Sequence, residues 1–204
     1  MSTTRRNFIK TSSFVAAASV LPLNLMSGIA PSGKIRIGLV GGNSQGWSNL
    51  ASMLKNPEAE CVALCDIDRS VLDRNLESLK KLGQPQPKVY SDYRKMLENK
   101  DIDAVIIGTP DHWHCMILCD ALEAGKHAYV EKPIGNSIAE INIMQNAVRK
   151  HKKIVQVGQW QRSQPHFVDA INYLKTGKLG RIRATKAWSF VDWKGPVPKV
   201  PDTP

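Results

Sequence analysis

Residues 35–46 read IRIGLVGGNSQG, an apolar run that ends in a glycine-rich turn. The run is short and rich in branched side chains, which predicts a buried strand, and the residues after the turn predict a helix. In a dinucleotide-binding turn one glycine makes the tight bend, a second lets the backbone approach the pyrophosphate, and a third allows the helix to pack closely on the strand. Gly41 and Gly46 hold the two outer positions, and Asn43 stands at the middle one.

The middle position of this turn departs from the pattern. Asparagine tolerates unusual backbone angles better than most residues, so we expect the turn to form with Asn43 in it. Its side chain then stands where the phosphate approaches, and its amide is a candidate proton donor to that phosphate. We predict that Gly41, Gly42, Asn43 and Gly46 bind a nucleotide; the alternative is a glycine turn without one.

Short β-rich runs alternate with helical stretches along the rest of the chain. This order predicts a parallel sheet with right-handed crossovers, hence an α/β fold of the doubly wound Rossmann type. We predict this domain over residues 34–160, and in residues 161–204 a linking helix and only the first strand, 182–190, of a second α/β domain. The predicted strands of the first domain are 35–40, 62–64, 104–107, 127–130 and 154–157, and the helices of the chain are 47–55, 69–82, 112–124, 138–151 and 167–174.

Polar residues follow two of the predicted strands, at the sheet edge where such folds bind ligands. Asp66 lies 20 residues after Gly46, at the position of the acid that binds a ribose 2′-hydroxyl. Its charge repels a 2′-phosphate, which favours NAD, although Arg69 nearby leaves NADP open. Thr109 and Pro110 form the turn after strand 104–107 and open the next helix, where we predict that His114 faces the cofactor.

The triplet Glu131-Lys132-Pro133 follows the strand 127–130. Successive strand residues point to opposite faces, so we do not expect the side chains of Glu131 and Lys132 to pair. Oxidation of a secondary alcohol needs a base for the hydroxyl proton, and burial beside a positively charged nicotinamide ring favours the neutral, proton-accepting amine of a lysine. We predict Lys132 as the catalytic residue and Glu131 as a cofactor contact; the alternative is a solvated strand end stopped by a proline.

The order and spacing of these motifs over residues 34–195 resemble the Gfo/Idh/MocA family, the relatives of glucose-fructose oxidoreductase and inositol dehydrogenase. The resemblance implies that the glycine turn, Asp66 and the Thr109-Pro110 turn bind NAD(P), and that Lys132 serves the reaction centre. It implies that the segment with Trp160 and Arg162 passes beside the nicotinamide and the substrate. The family also has a second domain that supplies substrate contacts and an Asp/His-type catalytic pair, which we expect to be missing here. The further motifs that carry the resemblance are TPDHWH at 109–114 and ALEAGKH at 121–127.

The first 30 residues read as an export signal rather than as part of the fold. A basic start with adjacent Arg5 and Arg6 precedes 13 apolar residues at 14–26 and small residues up to Ala30. A span across a bilayer core needs roughly 20 residues, so we expect no permanent transmembrane helix. The paired arginines predict the bacterial twin-arginine pathway and a periplasmic location; the alternative is an ordinary secretory signal.

Composition limits the other classes of function. The 204 residues are 42% hydrophobic and 23% charged, which is typical of a globular protein. The net charge of +10 falls to +7 without the three basic residues of the signal, and the remaining basic residues are scattered, so we expect no nucleic-acid partner. Four cysteines lie in pairs within one predicted strand and one predicted helix, which indicates core thiols rather than zinc ligands, and we predict no metal site.

The sequence predicts an NAD(P)-dependent oxidoreductase that acts on a CH–OH group of a small sugar or polyol. Free nicotinamide cofactor is not expected outside the cytoplasm, so an exported enzyme must carry its cofactor tightly bound. We expect a homo-oligomer when the protein is full length. Two alternatives remain: an NAD-dependent glycoside hydrolase of the same fold, against which the Glu-Lys-Pro triplet speaks, and a non-catalytic secreted protein that binds cofactor or sugar.

Overall fold

A computed structural model describes residues 33–188 of the chain. It divides them into two compact units, with the division between Gln159 and Trp160. The predicted signal at residues 1–30 and the proline-rich end lie outside the described residues. None of the helices in the described part has the length and apolar character that crossing a membrane requires.

The first unit is built on a parallel sheet. In the described residues of this unit six strands lie in the order β3-β2-β1-β4-β5-β6, and every neighbouring pair is parallel. The order reverses between β1 and β4, which confirms the Rossmann-type fold. The strands are β1 Ile35–Val40, β2 Ala59–Cys65, β3 Lys88–Tyr90, β4 Ala104–Ile107, β5 His127–Val130 and β6 Val155–Val157. The helices are α1 Gln45–Met53, α2 Arg69–Lys81, α3 Tyr93–Leu97, α4 His114–Glu123 and α5 Ile138–His151.

Helices cover both faces of the sheet, so its central strands are buried on both sides. Leu39 of β1 packs on one face in a cluster with Leu50 of α1. Val40, the next residue, packs on the other face in a cluster with Leu118 of α4 and Met144 of α5. This two-sided burial explains why the central strands read as continuous apolar runs.

The cysteines belong to this core, as predicted. Cys61 and Cys65 are buried in β2, and all four cysteines are free thiols. Burial raises the pKa of both Cys61 and Cys65 to about 12. Both thiols are therefore protonated near neutral pH, and neither is a thiolate nucleophile.

Helix ends follow the local signals of the sequence. The side chain of Asp68 accepts a hydrogen bond from Ser70 N (2.8 Å) at the start of α2, as an N-cap does. Gly83 and Gly125, with φ of +69° and +78°, follow the ends of α2 and α4, where the left-handed conformation favours glycine.

Two sequence-based assignments need correction. The sequence gives no sign of β3 or α3, because strands and helices of three and five residues are too short for a periodic pattern. The strand predicted at 182–190 is wrong over residues 182–188, which form no strand, since a strand needs a hydrogen-bonded neighbour. Residues 189–190 lie outside the described residues.

The second unit consists, in its described part, of a 3-10 helix at Trp160–Ser163 and the helix α6 at Pro165–Lys175. Proline at the first helical position lacks only a donor that the helix leaves unused. At the other end the Thr176 hydroxyl donates to the carbonyl of Tyr173 at 2.7 Å. The linking helix predicted near 167–174 is thereby confirmed.

Charged side chains at the amino edge of the sheet bond to one another or to the backbone. Arg36 of β1 holds both carboxylate oxygens of Asp103, at 3.1 and 2.9 Å, and reaches Asp101 at 3.1 Å. Burial alone raises the pKa of Asp103, but the hydrogen bonds and charge of Arg36 outweigh it and the pKa is lowered. The buried Lys126 ammonium donates to the carbonyls of Asn99 and Ile102, both at 2.8 Å.

Candidate functional site

A cleft of about 680 Å³ opens at the carboxyl ends of β1, β2 and β4. This is the point where the strand order reverses, and such points bind ligands in open α/β sheets. The sequence-predicted residues that line the cleft are Gly41, Asn43, Asp66, Thr109 and Pro110.

The backbone of the glycine turn lies against two other segments. Gly41 has a φ of +81°, and a Cβ there would stand 2.6 Å from Thr109 N. A Cβ on Gly46 would strike the carbonyl oxygen of Gly41, and one on Gly108 would stand 2.5 Å from the Cα of Gly46. The turn, the start of α1 and the end of β4 thus pack without side chains between them. This bare backbone at a helix start fits a pyrophosphate.

Gly42 is held from two sides. Its N–H donates to Asp66 Oδ2 at 2.8 Å, and its carbonyl accepts from Asn75 Nδ2 at 2.8 Å. Asn75 lies on α2 and is 2% exposed, so this hydrogen bond is enclosed by protein. The sequence analysis missed Asn75; its signal is a polar residue in the apolar spacing of Val71, Leu72 and Leu79.

Asn43 is exposed at the cleft. Its oxygen accepts hydrogen bonds from Ser44 N at 3.0 Å and from Arg74 Nη2 at 2.9 Å. The amide NH₂ therefore remains as a donor without a partner among the described residues. Its donation to a phosphate stays a prediction.

Asp66 has a fixed orientation at the end of β2. One carboxylate oxygen accepts from Gly42 N, and the other accepts from Asp68 N at 3.0 Å. Asp68 and Asp92 also line the cleft, which makes its rim acidic. Arg69 points its charge into an ion pair with Asp73 at 2.9 Å. The contact of Asp66 with a ribose stays a prediction.

Aromatic side chains form one wall of the cleft. The rings of Tyr93 and Trp113 meet edge to face with centroids 6.4 Å apart. The Tyr93 hydroxyl donates to Asp120 Oδ2 at 2.7 Å, and burial together with this bond raises the pKa of Tyr93 to about 12. The sequence analysis missed this wall; the helix-capping Asp92 just before Tyr93 was its only local signal.

The turn after β4 presents a buried polar atom to the cleft. The Thr109 hydroxyl is buried and has no hydrogen-bond partner among the described residues. Buried polar groups without partners are rare in folded proteins and mark candidate ligand sites. Pro110 precedes a 3-10 helix at Asp111–Trp113, which continues into α4.

His114 lies beneath this turn rather than in the cleft. It is 0% exposed, with Nδ1 at 2.7 Å from the Pro133 carbonyl oxygen and Nε2 at 2.9 Å from that of Thr109. The predicted direct contact of His114 with a cofactor is therefore corrected, because both ring nitrogens face backbone carbonyls inside the protein.

Glu131 follows β5 and is also enclosed. Its N–H donates to the carbonyl of Ile107 at 3.0 Å, and its side chain, in a residue 4% exposed, accepts from Asn49 Nδ2 at 2.7 Å and from Lys132 N at 3.0 Å. The predicted cofactor contact of Glu131 is corrected in the same way, since both carboxylate oxygens face donors of the protein.

Lys132 points the other way. The residue is exposed, and its amine has no ion-pair or hydrogen-bond partner among the described residues. Its side chain and that of Glu131 do not pair, as the alternation of strand residues predicted. The amine thus stands on the same sheet edge as the cleft, one strand beyond β4.

Trp160 and Arg162 lie in the 3-10 helix that opens the second unit. The predicted contacts of Trp160 and Arg162 with nicotinamide and substrate stay predictions.

Three features together define a dinucleotide-binding domain: the reversal of the strand order, the closely packed glycine turn and the acid after β2. The family model described as "Oxidoreductase family, NAD-binding Rossmann fold" matches residues 35–159. The chain belongs to this Gfo/Idh/MocA family.

Relatives of this chain fall into two groups by name. An α-N-acetylgalactosaminidase of Shewanella oneidensis is 31% identical over 87% of this chain and 44% of its own length. The scyllo-inositol dehydrogenase of Lactobacillus casei, solved with NAD(H) and scyllo-inositol, is 31% identical with a TM-score of 0.65 over 72% of this chain and 42% of its own. The WlbA dehydrogenase of Chromobacterium violaceum, solved with NADH and UDP-GlcNAcA, is 27% identical with a TM-score of 0.65 over 72% and 41%. The chain thus spans less than half the length of these relatives.

Proposed function

We propose that this chain is the cofactor-binding part of an NAD-dependent oxidoreductase that acts on a CH–OH group of a sugar or polyol. The observation that carries the proposal is the unpartnered Lys132 amine on an anchored turn, on the same sheet edge as the nucleotide cleft. Two of the dehydrogenases named above support the substrate class. One was solved with NAD(H) and scyllo-inositol and the other with NADH and UDP-GlcNAcA.

The cofactor would supply the acceptor for the hydride that leaves the substrate carbon. Lys132 Nζ takes the proton of the hydroxyl in the same reaction, so the C–H and O–H bonds break and a carbonyl forms. The glycine turn and the Thr109-Pro110 turn would hold the cofactor. Proton transfer by a positioned group contributes roughly 10²- to 10⁴-fold to a rate.

The charges at the cleft favour NAD over NADP. Carboxylates of Asp66, Asp68 and Asp92 line it, and each repels a 2′-phosphate. The nearest predicted cation, Arg69, is paired with Asp73. Arg94 also lines the cleft, but it is paired with Asp92 at 3.4 Å, so NADP would need a guanidinium released from its carboxylate partner.

Glycoside hydrolysis is the second candidate, and the relative named α-N-acetylgalactosaminidase supports it. Both candidates would begin with removal of hydride from a sugar carbon, but the Glu131-Lys132-Pro133 triplet favours the oxidoreductase. The two differ in their products: an oxidised sugar in one case, a cleaved glycoside with no net oxidation in the other.

Export with bound cofactor remains part of the proposal, and it rests on residues outside the described range. Arg5 and Arg6 are the supporting signal. A reporter fused to residues 1–35 should lose export when both arginines become lysine, and undiminished export would remove the twin-arginine assignment.

The decisive experiment uses the full-length protein with Lys132→Met. We expect kcat on polyols and sugars to fall by roughly 10²- to 10⁴-fold, while NAD(H) content after purification stays at the wild-type level. Lys81→Met, an exposed lysine at the end of α2, is the matched control and should change neither quantity. Wild-type turnover in Lys132→Met would refute the proton role, and cleavage of aryl glycosides without an oxidised product would favour the hydrolase.

A further inference from the structure

We infer that His114 and Glu131 are positioning residues that hold the Lys132-Pro133 segment at its two ends, through the N–H of Lys132 and the carbonyl of Pro133. The inference rests on the proposed function, because it assigns them to the lysine that this function uses. Glu131 accepts the N–H of Lys132 at 3.0 Å, and His114 Nδ1 lies 2.7 Å from the carbonyl oxygen of Pro133. The backbone on both sides of the reactive amine is thereby fixed.

On the Glu131 side, a directed set of hydrogen bonds reaches the lysine. Gln45 Nε2 donates to Asn49 Oδ1 at 3.0 Å, so Asn49 presents its NH₂ to Glu131 Oε1 at 2.7 Å. The second oxygen of Glu131 accepts from Lys132 N. Both carboxyl oxygens of Glu131 thus have a hydrogen-bond donor of the protein. The set connects α1, which follows the glycine turn, with the lysine turn.

The backbone behind this carboxylate is equally close. A Cβ on Gly158, just after β6, would stand 2.6 Å from Glu131 Oε1. The side chain of Glu131 is thus confined between Asn49, the peptide of Lys132 and the backbone of Gly158. It has no room for a second orientation in which Lys132 N would lose its acceptor.

On the His114 side, both partners are carbonyl oxygens, which only accept. A neutral imidazole carries a single N–H, whereas an imidazolium carries two. Nδ1 lies 2.7 Å from the Pro133 carbonyl oxygen and Nε2 lies 2.9 Å from that of Thr109, and the inference places an N–H on Nδ1, towards Pro133. The inference requires this Nδ1 proton in either form of the ring.

The anchoring has a chemical purpose because the amine itself is not held. The backbone N–H of Lys132 and the carbonyl of Pro133 are fixed. Only the side-chain torsions of Lys132 therefore remain to bring its amine to the hydroxyl proton. A misplacement of about 1 Å at a reacting group costs on the order of 10²-fold in rate. His114 Nε2 also lies 2.9 Å from the carbonyl oxygen of Thr109, so the Thr109-Pro110 turn and the turn that carries the lysine lie against the same ring.

Two substitutions separate positioning from a general structural role. The amide nitrogen of an asparagine at 114 reproduces Nδ1, and that of a glutamine reproduces Nε2. In the full-length protein we expect His114→Asn to keep kcat within about fivefold of wild type, and His114→Gln to lose on the order of 10²-fold, with bound NAD(H) and KM unchanged. Equal losses, or the opposite order, would overturn the inference. His151→Asn at the end of α5 is the control and should match wild type.

Two measurements do not depend on turnover. Nitrogen-15 spectra of the His114 ring should show a protonated Nδ1, and an unprotonated Nδ1 overturns the inference even in a variant-free protein. Amide exchange at Lys132 should be slow in wild type and in Glu131→Gln, which keeps an acceptor oxygen, and at least tenfold faster in Glu131→Met. Equal exchange in all three overturns the Glu131 part. If Lys132→Met keeps its turnover, the proposed function fails while these two results stand.

Discussion

The polar groups at the two edges of the sheet differ in whether they have hydrogen-bond or ion-pair partners in the described part of the chain. At the amino edge Arg36 is paired with Asp101 and Asp103. The buried ammonium of Lys126 there donates hydrogen bonds to two carbonyls. At the carboxyl edge the Thr109 hydroxyl and the Lys132 amine lack partners among the described residues.

The difference shows which polar groups serve the fold and which remain for a ligand. Paired charges at the amino edge stabilise the ends of β1 and β4 and offer nothing to a substrate. Donors without a protein partner at the carboxyl edge are candidates for bonds to a ligand. Substitutions at the two edges should therefore affect different quantities, and three of them measure how far this separation holds.

Gly46→Ala should have the largest effect. The new Cβ strikes the carbonyl oxygen of Gly41, so α1 must move off the turn, which we expect to cost about 3 kcal/mol of unfolding free energy and to abolish NAD binding. Urea unfolding and NAD(H) content measure the two. Gly83→Ala is the control: its φ of +69° adds about 1 kcal/mol, but no atom lies within 4 Å of the new Cβ, so cofactor should be retained. Normal NAD binding by Gly46→Ala would show that the close packing is dispensable.

Asp66→Asn should change cofactor affinity more than stability. Asparagine keeps an oxygen for Gly42 N but loses the charge and one acceptor, so we expect the NAD dissociation constant to rise ten- to a hundredfold, about 1.4 to 2.8 kcal/mol. NADP should lose less, because the repulsion of its phosphate falls. Calorimetry with both cofactors measures the ratio, with Glu77→Gln on the exposed side of α2 as control. An unchanged NAD affinity would remove the ribose assignment.

Asp103→Asn at the amino edge should have the smallest effect, and only on stability. We expect a loss of about 1 kcal/mol at pH 7 with unchanged NAD binding. The folded-state pKa of Asp103 is lowered, so its contribution is present above the unfolded value of about 3.9 and is lost as pH falls through the folded value.

Urea unfolding of wild type and Asp103→Asn at pH 7 and pH 3 tests this sign. The difference between the two proteins should shrink at pH 3. Asp73→Asn, which breaks an exposed pair with Arg69, should cost less than about 0.5 kcal/mol. A difference that stays constant with pH would show that the ion pair of Asp103 with Arg36 does not stabilise the fold.

Features that depend on local sterics could be predicted from the sequence. The glycine turn was predicted because a positive φ and close backbone contacts require glycine at Gly41 and Gly46. Asp66 was predicted because the end of a strand fixes which edge of the sheet it reaches. The alternation of strands and helices was enough to predict a parallel, doubly wound sheet.

Features that depend on distant contacts could not. In the sequence, His114 and Glu131 stand next to residues predicted for the site. In the structure their polar side chains are enclosed by other segments, His114 by Pro133 and Glu131 by Asn49. The sequence alone does not show that these segments come together. The short β3 forms because it pairs with β2. It is too short to show a periodic pattern from which a strand could be predicted. The export signal lies outside the described residues and stays a prediction.

Gly158 gives this arrangement a signature that is visible in sequence. A Cβ there would stand 2.6 Å from Glu131 Oε1, so we expect a larger residue at 158 only where the side chain at 131 has moved or is shorter. Relatives that keep an acid before the lysine should keep a glycine 27 residues further along, and relatives that replace one should shorten or enlarge the other in step. The pair thus marks, in an alignment, which members of the family retain the anchored lysine turn and which have rebuilt it.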